Sequence, residues 1–277
     1  NLKEVTRFYR QFVKPTLPDL LDEFRYINLL SSPQTHIVNA FSNLLQATVT
    51  VPGTKLYSGA IDIVASTLTG RQRQHYIREV PAYVRGSVGS LGEAFTKFAD
   101  TMKGNVMLTR PDVAHIPTGS KLLQPFQAVP RLLEASDVFF RTLINSGELE
   151  ALAYRAGRQG KEVSREFLES EATKKAAYSV FRAPLDPLNK PGQGALLSGI
   201  DKLTTAVYTL RKVPGVKWVI PFIQTPMNIL KQGIEYSPLG VGTLPGAVNK
   251  TEQLAKTFMG STVLAGAGWA VMQGDST

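Results

Sequence analysis

The stretch from Tyr26 to Gly70 places the tightest constraint on this chain. Across its 45 residues only Lys55 and Asp62 carry a formal charge, and Tyr26–Thr54 carries none. Asn39, Asn43, Gln46 and Thr50 recur at i, i+4, i+7 and i+11, which draws one stripe along a helix. Ile37, Phe41, Leu44, Leu45 and Val51 fill other faces. A helix that faces water puts Lys and Glu on its polar side. A polar side made of Asn, Gln and Thr is expected to meet protein, a lumen or a lipid interface. The four residues are therefore the candidate assembly or lumen stripe.

Punctuation divides the rest. Ser32 with Pro33 reads as an N-cap and first helical residue. Pro52 and Gly53 are expected to end or kink that helix, with a second one over about Leu56–Leu68. Leu91, Phe95, Phe98 and Met102 keep helical spacing up to Gly104. Asn105–Gln127 reads as a connector. Val129–Gln159 predicts one or two helices, broken near Ser146 and Gly147, and Val163–Phe181 predicts a charged surface helix. Leu196, Ile200, Leu203, Val207 and Leu210 have the 4-3-4-3 spacing of a short coiled-coil-like seam. Trp218–Gly233 is expected to be kinked by Pro221 and Pro226, and Ser237–Gly246 to be a turn-rich loop. A last helix is predicted over about Val248–Met272. There is no alternating strand pattern and no long repeat. The expected fold is all-α, with extended or bundled kinked helices that assemble into an oligomer. Its expected regions are 1–182, with the apolar helix pair and a basic segment, a Pro/Gly-rich hinge at 183–194, and 195–277, ending in a Gly/Ala-rich tail.

Few chemistries remain open. The absence of cysteine excludes disulfides, thiolate metal sites and a Cys nucleophile. His36, His75 and His115 lack partners at metal-ligand spacing, and His36 reads as a capping or packing residue. Glu148 and Glu150, two apart on a helix, point in different directions and make no acid/base pair. Gly86, Gly89 and Gly92 suit close helix packing rather than a phosphate loop. The expectation is a non-enzymatic segment with no catalytic residue, cofactor or metal.

A net charge of +9 suits nucleic acid or anionic lipid. Arg71, Arg73, Arg78 and Arg85, interleaved with Tyr76 and Tyr83, are the candidate nucleic-acid contacts. Between Lys256 and Asp275 no residue is charged, a length of about 27 Å as a helix. Gly260, Ala265, Gly266, Gly268 and Ala270 would let other helices approach it closely.

Three blocks occur in order: LLSSPQTHIVNAFSN, PRLLEASDVFFRTLINSGELEALAYRAG and WVIPFIQTPMNILKQGIEYSPLG. Together with the Gly/Ala-rich tail they resemble the internal or DNA-ejection proteins of tailed-phage virions and the related large polyvalent phage proteins. The resemblance spans about Leu29 to Gly274. It implies a helical virion segment, held in the capsid interior or tail lumen and placed in the host envelope after ejection. There it would oligomerise to help form a conduit for the genome. The implied partners are copies of itself, other ejection, portal or tail proteins, genomic DNA bound without sequence preference, and the host membrane. The alternative it allows is a packaging or anchoring domain of a giant virion-associated enzyme, such as an RNA polymerase or transglycosylase. No active-site motif of those enzymes matches, so no functional residue carries over.

Overall fold

A computed structural model describes residues 16–104, 128–184, 195–211, 213, 216 and 223–274. The protein is all-α, with no strand among the described residues. The helices are α1 (Leu17–Leu30), α2 (Pro33–Leu45), α3 (Val51–Thr69), α4 (Glu79–Gly89), α5 (Leu91–Met102), α6 (Ala128–Gln159), α7 (Arg165–Ser179), α8 (Ala195–Arg211), α9 (Gln224–Glu235) and α10 (Lys250–Gly274). The expected connector at 105–127, with His115, lies outside the described residues. So do Pro221 and most of 183–194.

The long α6 is the hub. Helices α2, α4, α5 and α7 pack on it, while α10 runs along α3 and against the turn that follows α9. Helices from either side of 183–194 meet in one interior, as when Lys175 of α7 pairs with Glu252 of α10 at 2.6 Å.

Helix α2 starts as its sequence predicts, with extended Ser32 before Pro33. Pro52 and Gly53 do not end it. The chain stays helical from Pro33 to Thr69 through a π-helical turn, Gln46–Thr50. Proline has no N–H for the carbonyl four residues back, and its ring crowds that carbonyl. One widened turn, in which the Val51 N–H reaches back to the Gln46 carbonyl, absorbs both effects. Gly70, in the left-handed conformation at φ 68°, then stops the rod.

Helix α6 likewise runs unbroken through Ser146 and Gly147. Gly147 is a contact. A Cβ there would lie 2.4 Å from Ser87 Oγ, and one at Gly86 would lie 2.4 Å from the Ser146 carbonyl oxygen. The two glycines let α4 and α6 cross almost backbone to backbone, whereas Gly89 and Gly92 face open space. Pro226 sits in the first turn of α9, where a missing N–H does no harm. The predicted loop at 237–246 is instead a 3-10 helix, Pro238–Gly246, with Ser237 as its cap.

The expected seam on α8 is covered only in part within the chain. Leu203 and Leu210 are exposed, and the helix buries Ile200, Asp201 and Thr204. Asp201 turns inward because Lys231 of α9 pairs with it there.

Candidate functional site

The interior is unusually polar. Among the described residues, buried polar and charged side chains are about as numerous as buried apolar ones. The main apolar cluster is small: Ala47, Val51, Tyr83, Ile144, Ala151, Ala176 and Val180, with Phe140 against it. Burying a charge is tolerated only when it is paired and hydrogen-bonded, and these charges are.

One knot of pairs lies between α3, α4, α6, α7, α9 and α10. Lys55 donates to Glu148 at 2.9 Å, both nearly inaccessible. Arg155 clamps both oxygens of Glu79, at 3.0 and 2.6 Å. Lys175 holds Glu252, and Lys256 donates to Glu235 at 2.8 Å while Tyr178 donates to the same carboxylate. Burial lowers the Lys55 pKa, opposed by Glu148. Burial also works against Lys256 and Glu252, but their neighbours win. Lys256 stays charged well above the usual lysine range beside Tyr178 and Glu235. Glu252 is held well below the usual carboxylate range by Lys175 and Lys256.

These pairs surround a cavity of about 40 Å³ onto which Ser58 also faces. That is room for a few waters, and Ser58 Oγ has no partner among the protein atoms. Each cation lining it is met by its own carboxylate, so the knot has no unpaired charge to offer a substrate. A second cleft, of about 650 Å³, lies beside it between the end of α6, α7 and the segment leading into α10, with Phe167 and Val248 in its lining. No group of three or more His, Asp or Glu among the described residues is placed to hold a metal ion.

A second knot gathers the Asn stripe. Asn39 and Asn43 both donate to Asp137 Oδ1, at 2.7 and 2.9 Å. Asp137 Oδ2 and Glu134 receive the Arg182 guanidinium. Arg182 reaches them because Phe181, at φ 58°, ends α7 with a left-handed residue. The carbonyls exposed by that turn accept from Gln224 and Asn228 of α9, at 2.9–3.0 Å. Gln46 donates to Gln232 at 3.2 Å. Thr50 is half-buried, and its carbonyl takes the Thr54 hydroxyl. The stripe expected to face a subunit or a lumen therefore has Asn39, Asn43 and Gln46 bonded inside its own chain.

The four arginines separate. Arg71 pairs with Asp62, a carboxylate that also accepts the backbone N–H groups of Gln74 and His75. Burial opposes the charge on Asp62, but those donors lower its pKa. Arg85 makes a loose, exposed contact of 3.4 Å with Glu150. Arg73 and Arg78 are exposed. Glu148 and Glu150 do point apart, one to the buried Lys55 and one to the surface.

Sequence reasoning missed Asp137, Glu134 and Arg182, which look like ordinary helix-surface charges. It also missed the partners of Lys55 and Asp62. Their isolation in an uncharged stretch was the available signal, because a lone charge on such a rod needs a buried counter-charge.

The outer side of the α2–α3 rod is the reverse of its inner side. Ile37, Val38, Phe41, Leu44, Leu45 and Val49 of the first half are exposed, as are Leu56, Val64 and Leu68 of the second, the last at 80%. Since Lys55 and Asp62 are buried, no charged side chain is exposed anywhere on the rod. The end of α10 continues the theme, with Val263, Leu264, Trp269, Val271 and Met272 exposed. No helix among the described residues is long and apolar enough to cross a membrane. Comparison with known protein families, with curated proteins and with solved structures finds no match to this chain.

Proposed function

We propose that this chain is a structural, non-enzymatic domain of a phage virion internal (ejection) protein, and that it oligomerises to help form a conduit for genome delivery across the host envelope. The observation that carries the proposal is the inverted α2–α3 rod. Asn39, Asn43 and Gln46 of its polar stripe are bonded inside the chain, and its outer face, along a rod of 37 residues and about 55 Å, shows water apolar side chains without one charge. Contiguous exposed apolar surface of this kind marks an interaction site. The occupant this reading assigns is further copies of the chain, since an uncharged face pairs with itself without burying an unmatched ion. The phage part of the proposal rests on the resemblance of the three sequence blocks; residues of all three, Asn39 and Asn43, Asp137 and Asn228, meet in one bonded knot around Arg182 and its neighbouring carbonyls.

The test is the mass of the purified chain in solution beside a Phe41→Lys, Leu45→Lys double variant. Both positions are exposed, so the variant keeps its helicity and melting temperature. Expected is an oligomer that the double variant dissociates. A wild-type chain that stays monomeric at tens of micromolar, or an oligomer indifferent to the two lysines, removes the rod from the proposal. Cryo-EM of whole particles before and after DNA release then locates the domain.

A further inference from the structure

The residue that caps α10 is tied to the body through an imidazole, beside the Glu252–Lys175 pair of the same turn. His75 lies between α3 and α4 and is buried, with 1% of the residue exposed. Its Nε2 is 2.7 Å from Asn249 Nδ2. Asn249 caps α10: its Oδ1 accepts the Glu252 N–H at 3.1 Å and its carbonyl accepts the Gln253 N–H at 3.0 Å. A backbone N–H can only donate, so the cap fixes which way the Asn249 amide points. Its NH2 group must face His75. The imidazole nitrogen it meets must then be an acceptor, and the ring is neutral with its proton on Nδ1. That nitrogen has no partner among the protein atoms.

We propose that His75 and Asn249 form an acid-released latch on the first turn of α10. When solvent supplies a proton to Nε2, the imidazolium N–H and the Asn249 NH2 become two donors facing each other. The conflict is relieved if Asn249 rotates its amide and gives up the cap, or if the ring leaves its pocket. Either way α10, which carries the uncharged tail, loses its cap, and its first turn is left to the Glu252–Lys175 pair. The charged groups around the ring are Asp62 of α3 through the His75 backbone, Glu79 of α4, Arg155 of α6 and Glu252 of α10. Glu79 is engaged by Arg155 and Glu252 by Lys175, so neither carboxylate is free to receive a new imidazolium. Burial first, then Arg155, keep the His75 pKa below its usual value, against Glu79 and Glu252. The neutral ring is thus the folded form near pH 7. The unfolded or opened form binds the proton more readily, and stability at this site falls as the pH drops below the ordinary histidine range of about 6.5.

Hydrogen exchange of the 248–258 segment, corrected for intrinsic rate, tests the latch between pH 7.5 and 5.5. Wild type is expected to open roughly tenfold more readily per pH unit below about 6.5. His75→Gln, which keeps an acceptor for Asn249 but cannot titrate in this range, is expected to show a flat profile. Asn249→Asp keeps the cap but presents an oxygen to the ring, so its profile should reverse and tighten as the pH falls. A His75→Gln slope equal to wild type, or an unreversed Asn249→Asp slope, overturns the latch. If either variant does not fold, imidazole nitrogen shifts of the wild type at pH 7 decide. A proton on Nδ1 with bare Nε2 upholds it, and a protonated Nε2 overturns it.

Discussion

At the scale of single residues, the interior is organised by acceptors that serve several donors at once. Asp137 takes Asn39, Asn43 and Arg182. Removing one partner of a buried, hydrogen-bonded ion pair costs about 3–5 kcal/mol, because it strands the others. Asp137→Ala should therefore lower unfolding stability by that amount in urea melts. Asn39→Leu should cost much less in an Asp137→Ala background than in wild type, since contacting residues are not additive. Equal costs in the two backgrounds would show that the bonds carry no shared energy. The same geometry changes what replacing Asn39 and Asn43 with leucine means. In a candidate assembly stripe, those changes would test assembly. Placed against Asp137, they act on the monomer first, and the outward-facing Phe41 and Leu45 become the residues that report on assembly.

At the scale of elements, the helical stripe was legible, because Asn39, Asn43 and Gln46 keep one face at 3.6 residues per turn. That this face meets something other than bulk water was the expectation from the missing charges, with protein, a lumen and lipid all open. Who covers it was not legible: Asp137 lies 94 residues beyond Asn43, and periodicity holds no information about partners at that distance. Breaks were misread for a physical reason. Proline and glycine have two uses in a helix, ending it or adapting it, and one sequence cannot separate them. Pro52 is accommodated by a π turn. Gly147 and Gly157 lie on the same helix and look alike in sequence, but Gly147 meets Tyr83 and Ser87 while Gly157 meets nothing. Their alanine variants should differ in sign. Gly147→Ala should destabilise by about 1–3 kcal/mol through overpacking, and Gly157→Ala should stabilise by up to about 1 kcal/mol through helix propensity. Thermal melts of the two variants check this, and a stabilising Gly147→Ala would show that α4 and α6 can separate at little cost. The α8 seam carries a related ambiguity. Heptad spacing marks a face but not what covers it, and the buried Asp201–Lys231 pair turns Leu203 and Leu210 outward.

At the scale of the whole molecule, polar residues fill the interior and apolar ones coat the α2–α3 rod, so the net charge of +9 is concentrated elsewhere on the surface. The basic segment that follows the rod is where the proposed conduit would meet DNA. Its arginines are not equivalent there. Arg71 is committed to the buried Asp62, whereas Arg73 and Arg78 are exposed. Non-specific DNA binding releases counterions, and each lost phosphate contact lowers the slope of log affinity against log salt by about 0.9. Replacing Arg73 and Arg78 by alanine should therefore reduce that slope by about 1–2 with little change in melting temperature. Arg71→Ala should do the opposite, lowering the melting temperature by stranding Asp62 while leaving the slope nearly unchanged. Fluorescence anisotropy of a labelled duplex across a salt series separates the two. A slope that none of the three substitutions moves would place any DNA-binding surface elsewhere on the chain.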